Sequence, residues 1–579
     1  MSLRRSRSIL FVLSCSGRIR PHRYPFLRVF FRFSLDAHDS SRLRTFAVFC
    51  LLWLALLFPV SCKSPGKSSD PVSPAIPPGA FGDLGNGFYL NPIFPGDYPD
   101  PTLLRDGADY YMTHTPHDNS PGLIVWHSRD LVNWKAIGHA LTTDLGEIWA
   151  PDFVKYKDRY FIYFPNRTTR SNCVVTADQP AGPWSAPIDL KVGNIDPGHI
   201  VGEDGNRYLY FSGGNMVRLA EDGLSTVGAV RKAYDGWPYP EDWRVECFCL
   251  EAPKLIHKGE YFYLISAQGG TSGPATSHMA VAARSKSVSG PWENSPYNPV
   301  VHTRSSAETW WSKGHASLID TPSGDWYVVY HAYKNNRRTL GRMTLLEPIE
   351  WTAAGWPRLP EGADPARPIP MPRGENIGST IDRQIDFETD FRANRWQANG
   401  PFDPARYLFS GNRLRMKPRG DDPAGSGPLL FMPHHDRYQA AVEVAINPAG
   451  AAPGRVPASD LSRHQGLMLF YSARFYYGCG LGPDGLYVYT ERGRRKVTGL
   501  PPDSSVHLKI VNDDQTVGLY FSPDGKTWTR IEDGRDVSPY QTNLLRGFRS
   551  LRIALFSFGD GTAETEFQNF AYRPGPIEK

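Results

Sequence analysis

Five stretches of this chain share one frame, and that repetition constrains the fold more than any other feature. They are "DPTLLRDGADYYMTHT" from Asp100, "APDFVKYKDRYFIYFP" from Ala150, "DPGHIVGEDGNRYLYFSGG" from Asp196, "EAPKLIHKGEYFYLISAQGG" from Glu251 and "HASLIDTPSGDWYVVYHAY" from His315. Each opens on a polar or small residue and continues as an apolar strand. It then passes a Gly/Asp/Lys turn and returns as a strand rich in Tyr, Phe or Trp. That order is a β-hairpin by its turn chemistry. The starts recur at a spacing of roughly 50 residues, which is the size of a propeller blade. Further strands follow each hairpin, as in "GLIVWHSRDLVNWKAI" after the first, so four strands per blade fit the spacing. The composition agrees: 15 Trp, 28 Tyr and 30 Phe alongside 54 Gly and 51 Pro favour short strands and turns over long helices.

Five repeats predict an all-β chain with a five-bladed β-propeller over residues 87–357. In a propeller the inner strand of each blade lines the central channel. Asp100, Asp196, Glu251 and His315 take the first position of four repeats, so ring closure is expected to bring them to one mouth, with Trp149 and Asp152 of the second repeat nearby. Each acid alone has a plain structural reading as a turn starter or strand cap. Three at one repeat position differ, because like charges in a partly desolvated channel repel and cost stability. Glycoside hydrolysis gives that cost a purpose. One carboxylate stays ionised to activate water or attack, another keeps its proton for the leaving oxygen, and a third raises the acid's pKa. Carboxylates facing one another across a channel suit the separation of about 6.5–9.5 Å that an inverting pair needs. Trp149, Trp310 and Trp311 lie near repeat starts and either stack on a sugar or pack in the core.

These residues resemble glycoside hydrolase family 43 over residues 88–357. "NPIFPGDYPDPTLLRDGADYY" is similar to the family's opening segment, which implies Asp100 as general base. "IDPGHIVGEDGNRYLYF" resembles the segment of the third acid, implying Asp196 as pKa modulator and positioning residue. "LEAPKLIHKGEYFYLISAQGG" resembles the general-acid segment, implying Glu251. "GHASLIDTPSGDWYVVYHAY" resembles the His segment, where many members hold a hydrated calcium or another ion; this makes His315 a channel-ion residue reached through water. The chemistry itself requires no cofactor. "TLGRMTLLEPIEW" carries Arg342, similar to a sugar-contacting arginine of β-xylosidase members, and Trp149 and Trp311 join it as expected substrate-binding residues. The resemblance implies an inverting exo-acting hydrolase, first a β-D-xylosidase releasing xylose from non-reducing ends of xylo-oligosaccharides. An α-L-arabinofuranosidase acting on arabinoxylan or arabinan side chains is the alternative. A non-catalytic sugar-binding propeller would carry degenerate acids, and a retaining fructosidase would show Asn-Asp-Pro where this chain has Pro99-Asp100-Pro101. The expected partner is a plant cell-wall glycan.

Residues 358–382 are Pro/Gly-rich and read as a linker. Short alternating strands such as "YQAAVEVAI" and "VHLKIVND" then predict a second domain over 383–575, a β-sandwich similar to the concanavalin-like (jelly-roll-like) domain that follows the propeller in β-xylosidase members. At the other end, Arg42 and Arg44 precede an apolar run, Phe46 to Val60, of signal-peptide length. Cys62 follows it, and then comes a Ser/Pro/Gly tether. This resembles a bacterial lipoprotein signal, with ordinary cleaved secretion and a retained anchor as alternatives. Residues 1–62 are thus expected to be leader and 63–86 tether, and the protein is expected at the cell envelope, in the periplasm or at the surface, meeting the membrane only through a lipid. Net charge is +5, much of it from the leader, and no basic cluster in the folded part is dense enough to track nucleic acid. Cys173, Cys247, Cys249 and Cys479 show no zinc spacing and are expected as buried free thiols, since a strand would hold Cys247 and Cys249 in poor bridging geometry.

Overall fold

The five hairpins close into a ring. The computed structural model describes residues 79–381, 396–445, 463–500, 505–559 and 564–575, so the expected signal, Cys62 and most of the tether lie outside the described residues. Blade 1 is an antiparallel sheet of Thr102–Asp106, Asp109–Thr113, Gly122–Ser128 and Lys135–Leu141 in that order. The other four blades repeat this layout around the inner strands Asp152–Tyr156, Gly198–Val201, Glu251–Lys258 and Trp310–Asp320. Each inner strand touches the next, and the fifth touches the first.

The aromatic return strands explain why the blades stack. Side chains alternate faces along a strand. In "YFIYF", Tyr160, Ile162 and Phe164 pack against Leu123 and Val125 of blade 1, whereas Phe161 and Tyr163 pack against Leu209 and Phe211 of blade 3. Both faces are buried, so the strand reads as a continuous apolar run.

The segment before Asp100 seals the ring. Tyr89, Ile93, Phe94 and Tyr98 form one core with Tyr110 and Trp126 of blade 1 and Tyr327 and Leu346 of blade 5. Asn91 pairs with Leu346 in both directions at 2.9 Å, its amide donating to the carbonyl and its side-chain oxygen accepting from the N–H.

Beneath the channel mouth, Lys254 Nζ donates to Asp152 Oδ1 at 2.7 Å and to the Pro151 carbonyl at 2.8 Å, with the Pro197 carbonyl at 3.4 Å. Asp152 also accepts from the His199 N–H at 2.7 Å and from Thr102 Oγ1 at 3.3 Å. This buried ion pair ties together the inner strands of blades 1, 2, 3 and 4.

The described residues between 396 and 575 supply seven strands to each sheet of a two-sheet sandwich, around a core that includes Trp396, Tyr477, Leu508 and Phe567. Its eight-stranded sheet ends on a propeller segment, since Asn119–Ser120 pairs with Trp396–Asn399. The proline-rich stretch after blade 5 is pinned to the first blade: the Thr380 N–H donates to the Trp134 carbonyl at 3.0 Å, and Arg129 pairs with Glu375 at 2.7 Å.

One expectation is overturned. Cys247 and Cys249 form a disulfide, with Cα atoms 5.2 Å apart. The segment is an irregular loop rather than a strand, and Cys249 turns it through φ 40°, which lets both sulfurs meet. Cys173 and Cys479 are free and buried, as expected.

Because Lys254 and Asp152 are buried together, removing one leaves the other charge unpaired. Lys254→Met is expected to cost about 3–5 kcal/mol of stability in chemical denaturation. The double variant with Asp152→Asn should cost less than the sum of the two single changes.

Candidate active site

Four of the five inner strands share a left-handed backbone conformation at one residue at or near the channel mouth. Asp100 (φ 57°), Asp196 (φ 58°), Ala252 (φ 52°) and His315 (φ 55°) all adopt it, a conformation that is strained for non-glycine residues and is found where function fixes it. Asp100, Asp196 and Ala252 each precede a proline. The equivalent of Asp100 in blade 4 is therefore Ala252, which corrects the assignment of Glu251 to the same repeat position. Glu251 stands one residue earlier, with its Oε1 3.6 Å from His278 Nε2. In blade 2 the equivalent is Ala150, and Asp152, two residues on, belongs to the ion pair below.

Asp100, Asp196 and Glu251 line one small hollow of about 90 Å³ together with Trp149, His315, Arg342 and Phe548. The geometry thus brings together the three acids, the expected arginine and one expected tryptophan. Trp311 is not among the lining residues; its indole N–H donates to the Ser306 carbonyl at 3.0 Å. The cause is the length of the last inner strand, which begins at Trp310 and is interrupted by register shifts before His315, so Trp311 falls beyond the mouth.

Asp100 is almost fully enclosed. Arg342 donates to its Oδ1 at 2.9 Å and Thr115 Oγ1 to its Oδ2 at 2.6 Å. His331 Nδ1 lies 3.1 Å and His315 Nδ1 3.3 Å from Oδ1. Burial alone would raise the carboxyl's pKa, but the Arg342 charge and its other neighbours hold it well below the usual range. Burial keeps both imidazoles neutral near pH 7, with His331 lowered to about 3 and His315 also lowered. Arg342 is the largest favourable influence that keeps Asp100 ionised, and the Thr115 hydroxyl caps its other oxygen. Arg342 in turn remains charged despite its own burial because Asp100 is beside it.

The other two acids shift the opposite way. Burial first, then the Asp100 charge, pushes Glu251 up to about 8. Burial, then Glu251 and Asp100, pushes Asp196 well above its ordinary value, although the Ala252 N–H donates to its Oδ2 at 3.1 Å. Near neutral pH the site holds one fixed carboxylate, Asp100, and one carboxyl group that retains its proton, Glu251, which is the division of labour between base and acid that hydrolysis of a glycosidic bond requires.

Several contributors have no strong signal in the sequence. Thr115 lies two residues beyond the return strand of blade 1, Asp109–Thr113, and His331 lies within that of blade 5, Trp326–Lys334. His278 directly precedes the third strand of blade 4, Met279–Ser285. Phe548 comes from the sandwich, between the short helix Thr542–Leu545 and the strand Arg552–Phe558. Its ring meets Trp149 edge-on at 5.6 Å and lies 5.6 Å from the Arg342 guanidinium carbon. Next to it, Arg549 pairs with Asp118 at 2.9 Å, and Arg552 reaches Asp97 at 3.4 Å. Asp97 accepts from the Arg342 N–H at 3.1 Å, so a polar chain runs from the sandwich to Asp100.

Asp100, His315 and His331 bring ligand atoms within 4.8 Å of one another. This set does not fit direct coordination of calcium, which takes six to eight oxygens. Two of the three donors are imidazole nitrogens, and Arg342 already shares the carboxylate oxygen. His315 Nε2, buried and without a hydrogen-bond partner among the described residues, is the atom left to meet the water of a hydrated ion.

Residues 89–357 match the family described as Glycosyl hydrolases family 43. The propeller belongs to that family. Among curated relatives, a xylan 1,3-beta-xylosidase of a Vibrio species is 31% identical over 328 residues, which cover 49% of this chain and 59% of the relative. A non-reducing end alpha-L-arabinofuranosidase of Bacteroides ovatus is 33% identical over 293 residues, covering 47% of this chain and 53% of the relative. The matches to these two proteins thus span little more than half their length. Among solved structures, the family-43 BlXynB protein of Bacillus licheniformis superposes with a TM-score of 0.73 at 26% identity, over 84% of this chain and 99% of its own. That superposition takes in the sandwich as well as the propeller.

A carboxyl raised from its ordinary 4.5 to about 8 in the folded site binds a proton that the unfolded chain has lost across that interval. Its contribution to stability is complete below pH 4.5 and declines as pH rises toward 8. Glu251→Gln is expected to remove this decline, making the variant more stable than the parent at pH 8. Denaturation at pH 5 and pH 8 checks it, and equal slopes for the two proteins would contradict the raised pKa.

Proposed function

We propose that this chain is an inverting, exo-acting glycoside hydrolase of the β-D-xylosidase kind, releasing xylose from non-reducing ends of xylo-oligosaccharides. The reading is carried by the opposed protonation of Asp100 and Glu251 in one enclosed hollow. In the mechanism, Asp100, held ionised by Arg342, takes a proton from a water that attacks the anomeric carbon. Glu251, still protonated, gives its proton to the departing oxygen. Asp196 acts as the modulator of the Glu251 pKa and holds the turn of the next inner strand through the Ala252 N–H. Arg342, Trp149 and Phe548 wall the sugar, and the small hollow favours a single terminal unit over an internal stretch of chain.

The same site chemistry serves an α-L-arabinofuranosidase acting on arabinoxylan or arabinan side chains, and the Bacteroides ovatus relative carries that description. An aryl β-xyloside and an aryl α-arabinofuranoside distinguish them: turnover of the xyloside is expected, and turnover of the arabinoside alone would reverse the assignment. The first-formed sugar should have the inverted anomeric configuration by NMR. Glu251→Ala is expected to lower kcat on an unactivated oligosaccharide by about 10²–10⁴-fold, the usual worth of a general acid. The fall of kcat/KM on the alkaline side should track the Glu251 pKa near 8.

Two further readings belong with this one. Export with lipidation at Cys62 is supported by the run Phe46–Val60 and the tether after it; loss of radiolabelled lipid incorporation in Cys62→Ser tests it. A hydrated channel ion touching His315 Nε2 through water is supported by that atom's lack of a partner, and calcium titration followed by thermal unfolding tests it.

A further inference from the structure

A second hollow is far larger than the catalytic one. A groove of about 1250 Å³ lies beside blades 4 and 5, walled by the loop around Trp243, the segment 297–310 and the stretch 358–366 that follows blade 5. Its volume exceeds that of the catalytic hollow more than tenfold.

The walls combine flat aromatic faces with polar groups that have capacity to spare. Trp243 stacks on His302 with centroids 4.7 Å apart and planes 3° from parallel. Tyr297 stands 43% exposed, with the Arg358 guanidinium over its ring at 6.0 Å. At the floor, Glu347 is fully buried. Tyr330 donates to one of its carboxyl oxygens, while Oε1 has no partner among the described residues. Lys313, also buried, pairs with Glu308 at 2.7 Å on the same wall. A buried carboxyl oxygen without a donor is costly unless something fills the space in front of it. The lining mixes acids and bases, which disfavours a polyanion or a bare cation. It suits a neutral molecule dense in hydroxyls, since each hydroxyl both donates and accepts.

The groove is joined to the catalytic hollow by one strap. Trp243 lines the groove and Glu246 lines the hollow, three residues and at most about 11 Å of extended chain apart. The strap is anchored where it reaches the hollow: the Glu246 N–H donates to the Gly269 carbonyl at 2.9 Å, and the Glu246 carboxylate accepts from the Ser272 N–H at 2.7 Å.

We propose that this groove is an auxiliary glycan-binding site that holds a neutral oligosaccharide stretch of the polymer being trimmed, with Trp243 and Tyr297 as its sugar platforms and Glu347 as its buried acceptor. The choice of ligand rests on the glycoside hydrolase reading above. The groove retains polymer near a pocket that has room for only its last unit.

The test titrates xylohexaose and arabinohexaose into the silenced Glu251→Gln protein by calorimetry, with and without Trp243→Ala or Tyr297→Ala. In the active background, the same two changes are assayed on polymeric substrate and on the aryl glycoside. Either change is expected to weaken hexaose binding and to lower polymer kcat/KM by about tenfold, the scale of losing one aromatic anchor. Aryl-glycoside turnover should stay within about twofold, a difference too small to mark a lost contact. Tyr297 is exposed, so its variant decides the question even where Trp243→Ala disturbs the strap. Unchanged hexaose binding in Tyr297→Ala, or equal losses on polymer and aryl glycoside, would overturn the site. A parent that cleaves no glycoside but binds hexaose through Tyr297 would sink the hydrolase reading and leave the groove standing.

Discussion

The pairing of Arg342 with Asp100 governs the electrostatics of the whole channel. Three carboxyl groups share a desolvated space in which burial alone would protonate all of them. One guanidinium, 2.9 Å from one of them, breaks the symmetry. Asp100 becomes the fixed charge, and that charge then adds to burial in raising the pKa of Glu251 and of Asp196. The acid and the base are assigned by where a single cation sits rather than by differences among the acids themselves. His315 and His331 crowd the same oxygen without contributing charge, so they shape the cavity while Arg342 sets its potential.

Geometry is secured one layer below. The Lys254–Asp152 pair touches four of five inner strands within three residues of the turns that carry Asp100, Asp196 and Ala252. A buried ion pair adds little net stability compared with apolar packing, but it is demanding about alignment. Here that demand falls on the strand starts whose strained turns orient the acids. The seal at Asn91 does the same for the junction between the last blade and the first.

Much of this was legible in the chain because a propeller writes its topology as repetition. The hairpin frame located the five inner strands, the channel mouth and three acids, and resemblance supplied Arg342. The repeat also misled at one point: aligning on the first polar residue put Glu251 in register with Asp100, whereas aligning on the proline selects Ala252. The periodic signal carries no information about insertions within a strand, so Trp311 was expected at the mouth although register shifts carry it past. The strand reading of Cys247 and Cys249 fails because the segment is a loop. Phe548 was out of reach in principle, since no local pattern tells a sandwich loop that it will face a hollow in another domain.

That last contact bears on how such a molecule is inherited. With Phe548 forming a wall of the hollow and Arg552 linked through Asp97 to Arg342, the boundary between the domains passes through the reactive centre itself. Recombination that exchanged the C-terminal half for a foreign one would trade away part of the pocket. Changes in sugar preference can therefore arise from substitutions in either half.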